Sequence, residues 1–161
     1  MDGALDRQTE LLPIAGRIRQ VFQDRGSELE LCLGSQHRRF AILAEPQDFK
    51  GNRAETYRLE IKKHGILIEY QEVGGLRAAV ATLRQLVREH GLRLPCLLID
   101  DYPDFPNRGV MLDISRGRVP RLSTLLQLAD HLADFKINEL QLYTEHTFAY
   151  CNYEPVWRDW G

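Results

Sequence analysis

The chain has 161 residues, of which 43% are hydrophobic, 27% charged and 9% aromatic. That is a globular composition, and it excludes collagen-like, mucin-like and wholly disordered chains. Lysine and arginine total 21 against 23 acidic residues, a formal charge of −2. With no global field to attract polyanions, neither nucleic acid nor an anionic membrane is expected as a partner.

The first element in the chain is an apolar stripe, Leu11, Ile14, Ala15, Ile18, Val21 and Phe22. Its 3.6-residue period predicts a helix with one covered face. Pro13 suits the first turn of that helix and Gly26 its stop. Leu29, Leu31 and Leu33 then alternate with Glu28, Glu30 and Cys32, which predicts a strand, and a short second strand follows at residues 39–43. Tyr57, Leu59 and Ile61 face Ile66, Ile68 and Tyr70 across Lys62-Lys63-His64-Gly65, a hairpin pattern in which Gly65 is free to take positive φ. The helical spacing returns in Leu76, Ala79, Val80, Leu83, Leu86 and Val87, with Gly91 as the stop. An antiparallel sheet covered on one face by two helices would bury both stripes.

From Leu94 the pattern changes. Pro95, Pro103 and Pro106 bracket the run Leu97-Leu98-Ile99 and an acidic link, Asp100-Asp101-Tyr102-Pro103-Asp104. An apolar strand at residues 108–113 follows, then a third stripe (Leu122, Leu125, Leu126, Ala129, Leu132, Ala133) with Pro120 in its first turn. A last strand at residues 137–143 completes a βαβ unit. The fold class is therefore α+β, with domains at residues 1–100 and 101–161. A lone βαβ unit leaves strand edges open, and this stretch is far shorter than the roughly 250 residues of a closed (β/α)8 barrel. The expectation is the start of a truncated barrel whose natural chain runs past Gly161. The 161-residue chain is expected to self-associate.

Cys32, Cys96 and Cys151 are scattered and form no CxxC, so reduced thiols are expected. Together with an N-terminus that shows no leader pattern, they suggest a reducing, cytoplasmic compartment. His64 reads as a turn residue, and His90 and His131 sit on helices without ligand partners at i±4, so no metal is expected. Arg17 with Arg19, and His37-Arg38-Arg39, read as solvated faces.

Residues 54 to about 150 resemble the family 20 glycoside hydrolases, the β-N-acetylhexosaminidases. The resemblance begins at Glu55-Thr56-Tyr57-Arg58-Leu59-Glu60-Ile61 and continues through Gly75, Thr82-Leu83-Arg84-Gln85-Leu86, Leu94-Pro95-Cys96 and Ile99-Asp100-Asp101-Tyr102-Pro103. It is sharpest at Asn107-Arg108-Gly109-Val110-Met111-Leu112-Asp113-Ile114-Ser115-Arg116, which is similar to the family's first barrel strand. The resemblance implies a small α+β domain ahead of a catalytic barrel. It also implies release of terminal β-linked N-acetylglucosamine or N-acetylgalactosamine from glycans, with no metal or organic cofactor. The implied chemistry is substrate-assisted and retaining, in which the sugar's own 2-acetamido oxygen attacks the anomeric carbon. That reaction uses an Asp-Glu pair at the end of the fourth barrel strand. No Asp-Glu dipeptide occurs among these 161 residues, so the chain alone is expected to be inactive.

The resemblance also assigns residues. Arg108 matches the arginine that holds the sugar's 3- and 4-hydroxyls, a task suited to a planar guanidinium fork; otherwise it would bridge to Asp101 or Asp104. Asp113 and Arg116 are expected to pair and shape the site. Glu145 and His146 would line the sugar site, or else form a pair at an exposed rim. Tyr150, Tyr153, Trp157 and Trp160 would stack on sugar faces or pack against further barrel parts. Gly117-Arg118-Val119-Pro120 replaces the family's usual His-Phe or His-Tyr, and Thr144-Glu145-His146-Thr147-Phe148 lacks its usual acidic pair. A different reading takes the chain as a non-catalytic interaction module, complete at 161 residues.

Overall fold

The first helix runs further than its apolar stripe. In the computed structural model, which describes residues 2–28, 41–51, 53–117, 119–145 and 151–152, helix α1 spans Asp2–Gln23. Pro13 therefore lies inside the helix and not in its first turn. Proline lacks the N–H that would bond the Thr9 carbonyl, a defect of about 3 kcal/mol in a helix interior. Burial of Ile14, Ile18, Val21 and Phe22 on one face outweighs it, at about 2 kcal/mol per side chain. The helix stops where glycine permits a left-handed residue. Gly26 has φ 77°, its N–H donates to the Gln23 carbonyl at 2.9 Å, and Ser27 N–H donates to the Phe22 carbonyl at 3.0 Å.

Contacts divide the chain into two compact units, Met1–Pro106 and Asn107–Gly161. The first holds strands β1 (Ala41–Pro46), β2 (Tyr57–Lys62) and β3 (Gly65–Tyr70), helix α2 (Val73–His90) and strand β4 (Leu97–Asp101). They form one four-stranded sheet in the order β1-β3-β2-β4. β2 is antiparallel to β3, as the hairpin pattern predicts, and also to β4, whereas β1 runs parallel to β3. The all-antiparallel expectation is thus corrected. With β4 on one side of β2 and β3 on the other, β1 pairs with β3, the strand that shares its direction. The apolar run Leu97-Leu98-Ile99 and the first two residues of the acidic link, Asp100 and Asp101, form the strand that fills this edge. The strand expected around Leu29–Leu33 lies outside the described residues.

The hairpin forms as the alternation demands, with Lys62 opposite Gly65 and Lys63-His64 as the loop. Gly65 does not adopt the positive φ expected of it. Its constraint is close approach: a Cβ there would lie 2.7 Å from the carbonyl oxygen of Ala41 on the paired strand β1. Tyr57, Leu59, Ile61, Ile66, Ile68 and Tyr70 are buried in one cluster with the stripes of α1 and α2.

The opposite face sets register by charge. Arg58 stands directly across from Glu69 on one side and Asp100 on the other. Its Nε donates to Asp100 Oδ1 at 2.6 Å, and Nη1 lies 3.8 Å from Glu69 Oε2. Exposed pairs of this kind contribute roughly 0.2–1 kcal/mol each. On the buried face, Tyr57 donates to Asp101 Oδ2 at 2.8 Å, which leaves the Thr82 hydroxyl, 2.6 Å away, to donate to the phenol oxygen. Both acids that open the predicted link are thereby engaged by β2.

The second unit contains β5 (Gly109–Asp113), α3 (Leu122–Asp134) and β6 (Glu139–Tyr143). β5 and β6 are parallel, from Gly109 opposite Glu139 to Asp113 opposite Tyr143, so this is the expected βαβ unit. Pro120 falls just before the N-cap Arg121, outside the first turn expected for it. No residue of α3 is buried, and Leu122 and Leu126 are 70% and 59% exposed. Two strands are too narrow to cover a whole helical stripe. Among the described residues, no helix is long and apolar enough to cross a membrane, and no cluster of His, Cys, Asp and Glu could hold a metal ion. Cys96 and Cys151 are exposed free thiols.

Gly75, in the first turn of α2, gives a test of backbone packing. A Cβ at this position would lie 2.4 Å from the Thr56 carbonyl oxygen, whereas one at Gly16 on α1 would meet nothing within 4 Å. Alanine favours a helix over glycine by about 1 kcal/mol. Gly16→Ala is therefore expected to raise the urea midpoint of the first unit, and Gly75→Ala to lower it by the equivalent of about 2 kcal/mol.

Candidate functional site

Parallel strands end together, and the C-terminal ends of β5 and β6 bring Asp113, Arg116 and Glu145 to one side of the second unit. Asp113, the last residue of β5, lies opposite Tyr143, the last of β6, and the ladder continues one step with Ile114 N–H donating to the Tyr143 carbonyl at 3.0 Å. Beyond the ladder, Asp113 folds the following turn back on itself. Its Oδ1 accepts from the Ser115 amide at 2.9 Å and the Ser115 hydroxyl at 2.7 Å. Its Oδ2 meets Arg116 Nε at 3.0 Å, so the expected Asp113–Arg116 pair is present. The Ser115 bonds foremost, with Arg116 adding to them, hold the Asp113 carboxyl below its ordinary value of 3.8.

Arg116 and Glu145 are joined through Tyr143, a residue that no sequence motif singles out. The Arg116 guanidinium carbon lies 5.7 Å from the centroid of the Tyr143 ring. The Tyr143 hydroxyl donates toward Glu145 Oε1 at 3.5 Å. Glu145 has φ 49°, a left-handed conformation uncommon for a residue with a side chain. The signal that could have found Tyr143 is register. A tyrosine ending one parallel strand, opposite an aspartate ending its neighbour, is bound to share that aspartate's surroundings.

Arg108 is not part of this cluster. It precedes β5, and the five residues to Asp113 span roughly 16 Å of extended chain. Its Nε donates to the Lys136 carbonyl at 2.8 Å, and its own N–H donates to Asn138 Oδ1 at 2.9 Å. Lys136, at φ 58°, is the left-handed residue that closes α3. Lys136 N–H donates to the Ala133 carbonyl and Ile137 N–H to the Leu132 carbonyl, the pairing of a Schellman turn. Arg108 thus braces the turn between α3 and β6. His146, Tyr150, Tyr153, Trp157 and Trp160 lie outside the described residues. Two clefts in the first unit, of about 360 and 560 Å³, contain none of the candidate residues.

Known proteins identify the surroundings in which these residues occur. The sequence model of glycosyl hydrolase family 20, domain 2, matches residues 5–102, and the chain belongs to that family. The match extends well upstream of residue 54, where the resemblance read from motifs begins. A beta-N-acetylhexosaminidase from Cellulomonas fimi is 36% identical over 94 residues, covering 55% of this chain and 18% of that protein. An N,N'-diacetylchitobiase from Vibrio harveyi is 35% identical over 106 residues, covering 64% of this chain and 12% of that protein. The chain therefore spans under a fifth of the length of either relative. Among solved structures, a Streptomyces plicatus beta-hexosaminidase in complex with its product, N-acetylglucosamine, superimposes with a TM-score of 0.63 at 27% identity. That superposition covers 81% of this chain and 28% of the other.

The carboxyl of Asp113 gives a pH test. A carboxyl held below its ordinary value in the folded state contributes stability above that value and loses it as the pH falls through the folded one. Asp113→Asn is accordingly expected to lower the thermal midpoint of the second unit at pH 7. The gap to wild type should close as the pH is taken well below 3.8. A gap unchanged in acid would show that the Ser115 and Arg116 contacts do not carry it.

Proposed function

We propose that this chain is the front portion of a β-N-acetylhexosaminidase that removes terminal β-linked N-acetylglucosamine or N-acetylgalactosamine from glycans. The observation that carries this reading is one of order. A family 20 domain is followed directly by a parallel βαβ unit whose strand ends gather Asp113, Arg116 and Glu145. In (β/α)8 enzymes, chemistry sits at the C-terminal ends of the strands, which is where this cluster lies. We take β5, α3 and β6 as the first elements of such a barrel, with residues 1–100 as the domain that precedes it. Further β/α elements would cover the exposed side chains of Met111, Leu122, Leu126 and Phe135.

The reaction proposed is substrate-assisted and retaining. The 2-acetamido oxygen attacks the anomeric carbon, and an Asp-Glu pair orients the amide and protonates the leaving oxygen. No such dipeptide occurs in the 161 residues, so the chain would supply binding groups only. Glu145 would accept hydrogen bonds from sugar hydroxyls, with His146 beside it, while Asp113 and Arg116 shape the wall. Arg108 would take the 3- and 4-hydroxyls, which requires its guanidinium to turn inward from Lys136.

The longer natural protein is expected to hydrolyse a chromogenic N-acetyl-β-glucosaminide, and the 161-residue chain is expected not to. Turnover by the short chain, or none by the longer protein, overturns the proposal. In the longer protein, Arg108→Ala should raise KM and lower kcat, because binding remote from the reacting carbon is used in the transition state. A loss of roughly 10–100-fold in kcat/KM corresponds to one or two charge-assisted hydrogen bonds. Wild-type kinetics would remove Arg108 from the site. Expressed alone, the chain should associate through its uncovered apolar surface, and light scattering should detect species larger than a monomer.

A further inference from the structure

Asp113, Arg116, Tyr143 and Glu145 are joined in series across the ends of two adjacent strands, and the order of the contacts gives each a separate task. Asp113 is the anchor. Its carboxylate is tied to the Ser115 turn on one oxygen and holds Arg116 Nε at 3.0 Å on the other. Arg116, thus tethered, lies 5.7 Å from the Tyr143 ring centroid, within the range of a cation–π contact. A cation over the ring draws electron density from the phenol and makes its O–H a better donor. That O–H is aimed at Glu145 Oε1 at 3.5 Å, the long end of the hydrogen-bond range. Hydrogen bonds around a binding site are often long before ligand arrives and shorten in the complex.

Glu145 has reason to need such a restraint. It lies past the last paired residue of β6, is exposed, and has a left-handed backbone at φ 49°. Any rotamer freedom a carboxylate loses only when its ligand arrives is a loss to binding, and a contact that orients it beforehand reduces that loss. A donor from rigid structure serves that purpose. Tyr143 is the last residue of the ladder and is locked in register opposite Asp113.

We infer that Tyr143 is a positioning residue for ligand binding: its hydroxyl orients the Glu145 carboxylate toward sugar hydroxyls, and the Asp113–Arg116 pair holds the Tyr143 ring in place. This inference rests on the glycosidase reading above for the identity of the ligand. The contact with Glu145 is a property of the chain itself.

The test is a double-mutant cycle on KM in the longer natural protein, with an N-acetyl-β-glucosaminide as substrate. Tyr143→Phe keeps the ring beneath Arg116 and removes only the hydroxyl, so the fold should be intact by circular dichroism. KM should rise about fivefold, the effect of one hydrogen bond. In a Glu145→Ala background the same change should have no further effect, and Arg116→Gln should reproduce part of it only while Glu145 is present. Effects that add independently overturn the proposal. In the 161-residue chain, where no sugar is needed, the ¹³C carboxyl resonance of Glu145 should move on Tyr143→Phe and stay fixed on Tyr102→Phe. A resonance that ignores Tyr143→Phe, in a protein where Glu145→Ala impairs KM, rejects Tyr143 and leaves the sugar site standing. A resonance that moves while Glu145→Ala leaves KM unchanged rejects the sugar role of Glu145, and with it the ligand task given to Tyr143.

Discussion

The in-register parallel pairing of β5 with β6 is the constraint on which the candidate site depends. Parallel neighbours need a crossover, and α3 supplies it. Only because both strands run the same way do Asp113 and Tyr143 finish side by side, so that Arg116 and Glu145, from the two following loops, can meet through a tyrosine ring. A slip of one residue would send every side chain of one strand to the opposite face. The bonds at the far end of the ladder oppose such a slip. There Arg108 ties its backbone to Asn138 and its side chain to the turn that closes α3.

The first unit solves the register problem by other means. Its sheet carries hydrophobic side chains on the helix-facing side and a charged row on the other, and both point to the same alignment. Arg58 finds acids directly opposite on two neighbouring strands. Tyr57, one residue earlier and on the buried face, ties β4 and α2 to the central strand through a single hydroxyl. The acidic link ahead of the second unit is therefore anchored by its first two residues. Asp100 and Asp101 each have a partner on β2.

The two units have different standing as folding units. In the first, Leu59, Ile68, Ala79 and Leu83 are wholly removed from solvent, as a self-sufficient core requires. In the second, a helix with a well-formed apolar stripe buries none of its residues. Membership of glycosyl hydrolase family 20 accounts for the first unit directly, since the family match lies within it. The second is the shorter piece of the chain and holds the side chains on which the proposed chemistry draws.

Much of this was legible in the residue pattern, and the places where it was not share a cause. Period 3.6 located α1, α2 and α3, and period 2 located the β2–β3 hairpin, because both patterns record which face of an element is covered. Gly26 and Gly91 marked helix stops because only a local backbone conformation was at stake. Pro13 misled because local propensity placed it at a helix start, whereas burial along α1 carried the helix past it. Gly65 misled in the same way: its local role as a turn residue was inferred, but its actual constraint is the carbonyl of Ala41, twenty-four residues away in sequence. Periodicity is local, and so it determined which residues form each element and which face is apolar. The direction of β1, the recruitment of residues 97–101 as a strand, and the meeting of Arg116, Tyr143 and Glu145 depend on pairings between distant segments. Those pairings exist only once strands compete for edges in three dimensions, so tertiary structure alone decided them.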